Sequence, residues 1–272
     1  MEWTSHTSLL DAIKIHYQRN GHHEERQTII MLHGITDNGE CFKRVAENLV
    51  DDYEIVLVDM RGHGESDAPQ NGYYPTDMAD DIIRLITVLG CYHPILIGHS
   101  MGAYVASIVA ATELNFLKGV IMEDPPFHNK PPTPNQLEAT VNWWENRIRQ
   151  DKKKTLEVLR EDGQTNRQWQ TEDVIPWAEA KRRVSPHVTE YIRGQADHNW
   201  RNTLKEVEIP ALLVTGDDRD RGAIVTPEIA EEITQLAPSV TVRHIKNAGH
   251  NIRRDQFDLY MHAIETFLRS LK

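Results

Sequence analysis

The stretch Pro94-Ile95-Leu96-Ile97-Gly98-His99-Ser100-Met101-Gly102-Ala103 reads as a buried strand, a glycine-flanked turn and the start of a small-residue helix. In a Gly-x-Ser-x-Gly arrangement the central serine is forced into a sharp strand-to-helix bend. The flanking positions must be small so that neighbouring backbones can pass, and the bend lifts the hydroxyl clear of the sheet. Alone, the five-residue pattern more often marks a loop without chemistry. Its context is stronger: an apolar run of strand type precedes it, and Ala103, Val105, Ala106, Ile108, Val109 and Ala110 follow as a helix packed tightly on a sheet.

Toward the N-terminus, the alternation from Asp11 to Tyr17 predicts an early antiparallel strand, and Asn20-Gly21 predicts a turn. Thr28 to Leu32 and Ile55 to Asp59 are continuous apolar runs of the kind buried on both faces of a parallel sheet. The first ends in His33-Gly34-Ile35-Thr36-Asp37-Asn38-Gly39, at the carboxyl edge where open α/β sheets place ligands. A backbone N–H there, that of Ile35, is a candidate oxyanion donor. The second ends in Met60-Arg61-Gly62-His63-Gly64-Glu65-Ser66-Asp67, where a loop imidazole such as His63 is more often satisfied by backbone than catalytic. Helices are expected from about Cys41 to Leu49 and from Asp77 to Leu89, the latter with Met78, Ile82, Leu85, Ile86 and Leu89 on one stripe.

Toward the C-terminus, Leu117 to Asp124 predicts another short strand, ending in two carboxylates and Pro125-Pro126. The strand-helix rhythm then stops until about Trp200, replaced by a proline-rich lead and polar helical segments bearing Trp143, Trp144, Trp169 and Trp177. This predicts a core of residues 1–124 and 201–272 and a helical lid of residues 125–200, with at least one tryptophan facing the space above Ser100. Lys152-Lys153-Lys154 reads as a solvated helix face rather than a substrate clamp. The rhythm resumes with a strand at Ala211 to Thr215, a helix from Pro227 to Leu236, a strand from Val240 to Ile245 and a helix carrying Phe257, Tyr260, Met261, Ile264, Phe267 and Leu268.

With 272 residues, 39% hydrophobic and 26% charged, the chain suits one large α/β domain with an insertion. A net charge of −11 argues against nucleic acid and anionic lipid as partners. The first residues lack a basic and apolar leader and no run is long enough to span a bilayer, so a cytoplasmic location is expected. Cys41 and Cys91 are too few for a disulfide framework and lack metal-site spacing, so they read as structural thiols. No metal or cofactor is called for, and oligomeric state is not legible.

Four motifs in register carry a resemblance: His33-Gly34 after the third strand, Arg61-Gly62-His63-Gly64-Glu65-Ser66, Gly98-His99-Ser100-Met101-Gly102, and Asn247-Ala248-Gly249-His250. Over nearly its whole length the chain resembles the α/β-hydrolase fold family. That resemblance implies a mostly parallel eight-stranded sheet flanked by helices, with a helical lid inserted after the sixth strand. It also implies a nucleophile Ser100, a base His250, and oxyanion donors at the backbone N–H groups of Ile35 and Met101.

The orienting acid departs from the commoner family pattern, in which it follows the seventh strand. There, three residues after Gly216 is Arg219, and three before Val225 is Gly222. Asp124, at the end of the sixth strand, takes the role, with Pro125 expected to hold its backbone extended. Asp220 and Glu123 are the alternatives. Met122 to Pro126 together with Gly222 to Pro227 is similar to amide-hydrolysing deformylases of the family. The resemblance implies a cofactor-free serine hydrolase of a small-molecule ester, amide or lactone. The alternatives are C–C bond hydrolysis, perhydrolysis, weakly suggested by Met101, or a ligand-binding receptor on a retained fold.

Overall fold

Ile29–Leu32, Ile55–Val58, Ile95–Ile97 and Val120–Met122 are buried at every position, which demands cover on both faces. A computed structural model, which describes residues 3–21, 26–112 and 116–271, supplies it. Among the described residues eight strands form one sheet: β1 (Thr4–Leu10), β2 (Ile13–Arg19), β3 (Thr28–Leu32), β4 (Glu54–Val58), β5 (Ile95–His99), β6 (Gly119–Glu123), β7 (Ala211–Gly216) and β8 (Val240–Ile245). Their order is β1-β2-β4-β3-β5-β6-β7-β8, with the β1–β2 and β2–β4 pairs antiparallel and the remaining pairs parallel. This is the α/β-hydrolase arrangement that the motifs imply.

Side chains alternate across each strand and so divide into two cores. Ile29, Met31, Ile55, Leu57, Ile95 and Ile97 face α1 (Lys43–Glu47) and the C-terminal helix Phe257–Ser270. Ile30, Leu32, Val56, Val58 and Leu96 face α2 (Pro75–Leu89) and α3 (Met101–Thr112). Proline at the first turn of α2 and left-handed Gly90 (φ 65°) after it set its limits, two residues earlier at the start than Asp77.

Between β6 and β7 lie only helices: α4 (Pro134–Asp151), α5 (Leu156–Glu161), a π turn (Asp162–Asn166), α6 (Thr171–Arg183), a 3₁₀ turn (Pro186–Thr189), α7 (Glu190–Asp197) and α8 (Trp200–Lys205). The helical stretch therefore runs past Trp200. Leu159, Trp169, Val174, Trp177, Ala178 and Ala180 cluster with Cys41 of the sheet domain. Arg44 to Asp173 at 2.7 Å and Lys181 to Asp37 at 3.0 Å add ion pairs across the same seam. After β7 come α9 (Pro227–Leu236), α10 (Ile252–Asp255) and α11 (Phe257–Ser270).

Two expectations change. Asp11 (φ 52°) and Ala12 form the turn of a hairpin whose first strand, β1, has no apolar alternation to announce it. β1 is an edge strand paired through its backbone to β2, and most of its side chains face solvent. The helix expected over Cys41 to Leu49 is a 3₁₀ turn (Gly39–Phe42) followed by the short α1. The leader-free reading begins at Met1 and Glu2, and the core limits at residues 1 and 272 share its position outside the described residues. No helix among the described residues is long and apolar enough to cross a membrane.

A tight constraint on this packing is at Gly102, where a Cβ would lie 2.2 Å from the Leu32 carbonyl oxygen and 2.7 Å from that of His33. Both obstacles are backbone and neither can swing away. Gly102→Ala is expected to lose at least about 1–3 kcal/mol, the cost of overpacking a close contact. Thermal unfolding reads this directly, and an unchanged midpoint would contradict the packing described.

Candidate active site

Ser100 sits between β5 and α3 with φ 54°, a left-handed conformation that a residue with a side chain adopts only under constraint. Its N–H donates to Glu123 O at 2.9 Å and its carbonyl accepts from Tyr104 N at 3.0 Å. Gly98 admits the bend, since a Cβ there would lie 2.4 Å from Gly102 O. Ser100 is buried except for its cavity face, at 8% exposure, and its hydroxyl makes no hydrogen bond among the described residues.

His250 arrives from the loop after β8. Its backbone N–H donates to Arg221 O at 3.2 Å, and its carbonyl accepts from His99 Nε2 at 3.0 Å. The rings of His99 and His250 lie 4.7 Å apart, so the loop is tied to the residue next to Ser100. Burial, together with the Arg253 charge, holds His99 well below the usual histidine range. It is therefore neutral with its proton on Nε2. His250 Nδ1 lies 2.7 Å from Asp124 Oδ2. A carboxylate only accepts, so Nδ1 carries the proton and Nε2 is left with a lone pair.

Asp124 is fully buried, and its carboxylate also accepts from Ile224 N at 2.9 Å and Val225 N at 3.0 Å. Its backbone corrects the expectation from Pro125: φ is 42°, not extended. The Asp124 N–H bond to Val214 O at 3.0 Å and the three bonds to the carboxylate hold this conformation, which aspartate tolerates better than most residues.

The alternatives are engaged elsewhere. Glu123 points across the strand end to Arg253, accepting from its N–H at 3.0 Å and its Nη1 at 2.9 Å. Burial raises the Glu123 pKa against the pull of Arg253. Asp217 accepts from Asn247 N at 2.7 Å and Asp218 from Arg221 N at 3.0 Å, shaping the loops, while Asp220 is exposed. At the cavity wall Asp37 binds Lys181 at 3.0 Å, and it also binds Arg254 at 2.7 Å and Arg253 at 3.2 Å. Burial alone would raise its pKa, but Arg254, Lys181 and Arg253 outweigh it and hold the carboxyl well below 3.8.

A cavity of about 530 Å³ opens above Ser100. Ser100, His250, Ile35 and Met101 line it, as do Trp143, Trp144, Trp169 and Trp177 from the helical insertion. Trp200 does not; it stacks on Phe127 at 4.9 Å. None of Lys152, Lys153 and Lys154 lines it either. His63 is buried with Nδ1 2.9 Å from Arg61 O and Nε2 2.9 Å from Ile35 O, a ring held by backbone.

Sequence reasoning missed the cations of this cavity: Arg147, Arg167, Lys181 and Arg221. Arg147, Lys181 and Arg221 are paired with Asp151, Asp37 and Asp255. Arg167 forms no ion pair or hydrogen bond among the described residues. Its guanidinium stacks 4.9 Å from Trp169 and 5.4 Å from Trp177. Burial pulls its pKa down, as expected of a cation short of counter-charge. The Arg-x-Trp spacing at 167–169 was the available signal, but only folding shows that Trp177 completes the stack.

Residues 27–253 match the family described as the alpha/beta hydrolase fold. N-formylmaleamate deformylase of Pseudomonas putida is 29% identical over 95% of this chain and 94% of its own. A 2-(acetamidomethylene)succinate hydrolase of Mesorhizobium japonicum is 39% identical over 42% of this chain and 41% of its own length. The crystal structure of E-2-(acetamidomethylene)succinate hydrolase superposes with a TM-score of 0.81, covering 98% of this chain and all of that one, at 23% identity.

The Asp37 cluster carries a pH dependence. A carboxyl held below its unfolded value of about 3.9 adds stability that is complete above that pH and is lost as pH falls through the native value. The acid limb of unfolding below about pH 4 should therefore flatten in Asp37→Asn. At neutral pH the same variant should be destabilised by about 3–5 kcal/mol, because Lys181 and Arg254 lose their carboxylate partner and Arg253 keeps only Glu123. An Asp37→Asn acid limb that overlays the wild type would refute the cluster's role.

Proposed function

The chain belongs to the alpha/beta hydrolase fold family and is a hydrolase, and on that premise we propose that it is a cofactor-free serine hydrolase of a small amide or ester bearing a carboxylate. The observation that carries the reading is the 2.7 Å bond from His250 Nδ1 to the buried Asp124 carboxylate beside Ser100. A serine hydroxyl is a poor nucleophile until a base takes its proton, and an imidazole whose Nδ1–H is held by a carboxylate offers Nε2 for that purpose.

In this reading Ser100 Oγ attacks the carbonyl carbon and its proton passes to His250 Nε2. The N–H groups of Ile35 and Met101 hold the oxyanion, each such donor being worth roughly 3 kcal/mol of barrier. Collapse expels the amine or alcohol, which takes the proton from His250, and water then cleaves the acyl-enzyme with the same base. Residues 125–200 act as the lid, excluding water and shaping the pocket.

The carboxylate preference rests on Arg167. A guanidinium stacked on two indoles, with no ion pair among the described residues, can offer its edge to a bidentate anion. The names of the two relatives, N-formylmaleamate deformylase and 2-(acetamidomethylene)succinate hydrolase, describe N-acylated carboxylates, which agrees with such a subsite.

Hydrolysis of N-formylmaleamate, 2-(acetamidomethylene)succinate and neutral p-nitrophenyl acetate tests the reading. Ser100→Ala should lose at least about 10⁴ in kcat, and Asp124→Asn about 10⁴, whereas Asp220→Asn stays within roughly tenfold. Retention of most activity by Ser100→Ala would end the serine-hydrolase reading. Arg167→Gln should raise KM for the anionic amide about 10–100-fold, the loss of a charged hydrogen bond, and leave the neutral ester unchanged. Equal effects on both would remove the carboxylate subsite.

A further inference from the structure

His33 is completely buried beside the proposed site, and its two ring nitrogens have unequal partners. Nε2 accepts from the backbone N–H of Met60 at 3.0 Å, because a backbone amide can only donate. Nδ1 therefore carries the proton and donates to the carbonyl of Gly34 at 2.9 Å. Burial and the neighbouring His63 hold the His33 pKa down to about 3, so this tautomer persists across the working pH range of most enzymes. The Gly34 carbonyl also accepts from Asp37 N at 3.0 Å.

That carbonyl belongs to the same peptide plane as the Ile35 N–H. A planar peptide transmits both orientation and charge: fixing the oxygen fixes the hydrogen, and hydrogen bonds in series strengthen one another. The following carbonyl, that of Ile35, lies 2.9 Å from His63 Nε2, so both peptides flanking Ile35 face an imidazole. The two rings pack edge to face with centroids 4.6 Å apart, which keeps each from rotating. Gly34 brings the plane close to the elbow: a Cβ there would lie 2.9 Å from His99 Nδ1 and 3.4 Å from Ser100 Cβ.

We propose that His33 is a positioning residue that aims and polarises the Gly34–Ile35 peptide as an oxyanion donor, through the relay Met60 N–H to His33 to Gly34 carbonyl. The proposal rests on the serine-hydrolase reading and goes beyond it, since His33 is not among the residues lining the cavity. Its consequence is selective. Loss of His33 weakens the donor where negative charge develops and leaves ground-state binding unchanged.

The test is the rate at which a fluorophosphonate labels Ser100. In that step the Oγ–P bond forms, the P–F bond breaks, fluoride leaves and the hydroxyl proton passes to His250, while the phosphoryl oxygen occupies the oxyanion position. In His33→Asn the side-chain amide N–H replaces Nδ1–H, in His33→Gln the amide is displaced toward the Nε2 position, and His33→Leu removes both groups. We expect labelling by the Leu variant to slow by about tenfold or more, somewhat less than the loss of a whole oxyanion donor. The Asn variant should recover most of that loss and the Gln variant should not.

The deficit should appear in the maximal labelling rate, with half-saturation by the probe unchanged and a constant ratio to wild type from about pH 6 to 9. Labelling by the Leu variant at the wild-type rate would overturn the proposal and leave the serine-hydrolase reading intact. If the Leu variant does not fold, equal rates for Asn and Gln would overturn it instead. A wild-type protein that is not labelled at Ser100 would remove the reading itself and the proposal with it.

Discussion

The close approach of two backbones at Gly98 and Gly102 governs the molecule. With no Cβ in the way, the first turn of α3 presses on the end of β3, and Gly102 N–H donates to His33 O at 3.1 Å. That contact fixes how β5 turns into its helix and puts Ser100 at φ 54°, a conformation costing roughly 1–3 kcal/mol that only a rigid surround sustains. The surround is the parallel sheet, whose central strands are buried on both faces and cannot relax independently. The strain at one residue is thus borne by the whole core.

Charge buried at the carboxyl edge does the complementary work of joining loops that the sheet leaves separate. Asp37 follows β3, Glu123 ends β6, Arg253 and Arg254 belong to α10, and Lys181 comes from the helical insertion. Each of these ions would be costly alone, and the cluster is tolerable because every one meets an opposite charge within 3.2 Å. Glu123 and Asp124 show how a strand end divides labour. Adjacent side chains leave on opposite sides, so one carboxylate locks the α10 segment while its neighbour holds His250.

Much was legible because short-range rules carry it. Apolar runs of about five residues mean doubly buried strands, which located β3 to β7 to within a residue or two at either end. The elbow was legible because its steric demand for glycine is local. β1 was not, since an edge strand held by backbone pairing needs no apolar pattern. The backbone of Asp124 was misjudged for a similar reason: the neighbour rule of Pro125 is weaker than three hydrogen bonds to its carboxylate from the loop after β7 and from His250.

By itself, then, the sequence determined the parallel sheet, the turn that presents Ser100 and the loop that carries His250, because each follows from local sterics, periodicity or a motif contained in a few residues. Tertiary structure alone decided the environment of those groups. It brought Arg167 onto Trp169 and Trp177 from different turns of the insertion, paired Glu123 with a residue 130 positions away, and aligned His33 between Met60 and Gly34. Such contacts arise when distant segments share one buried space, and spacing along the chain carries no measure of that proximity.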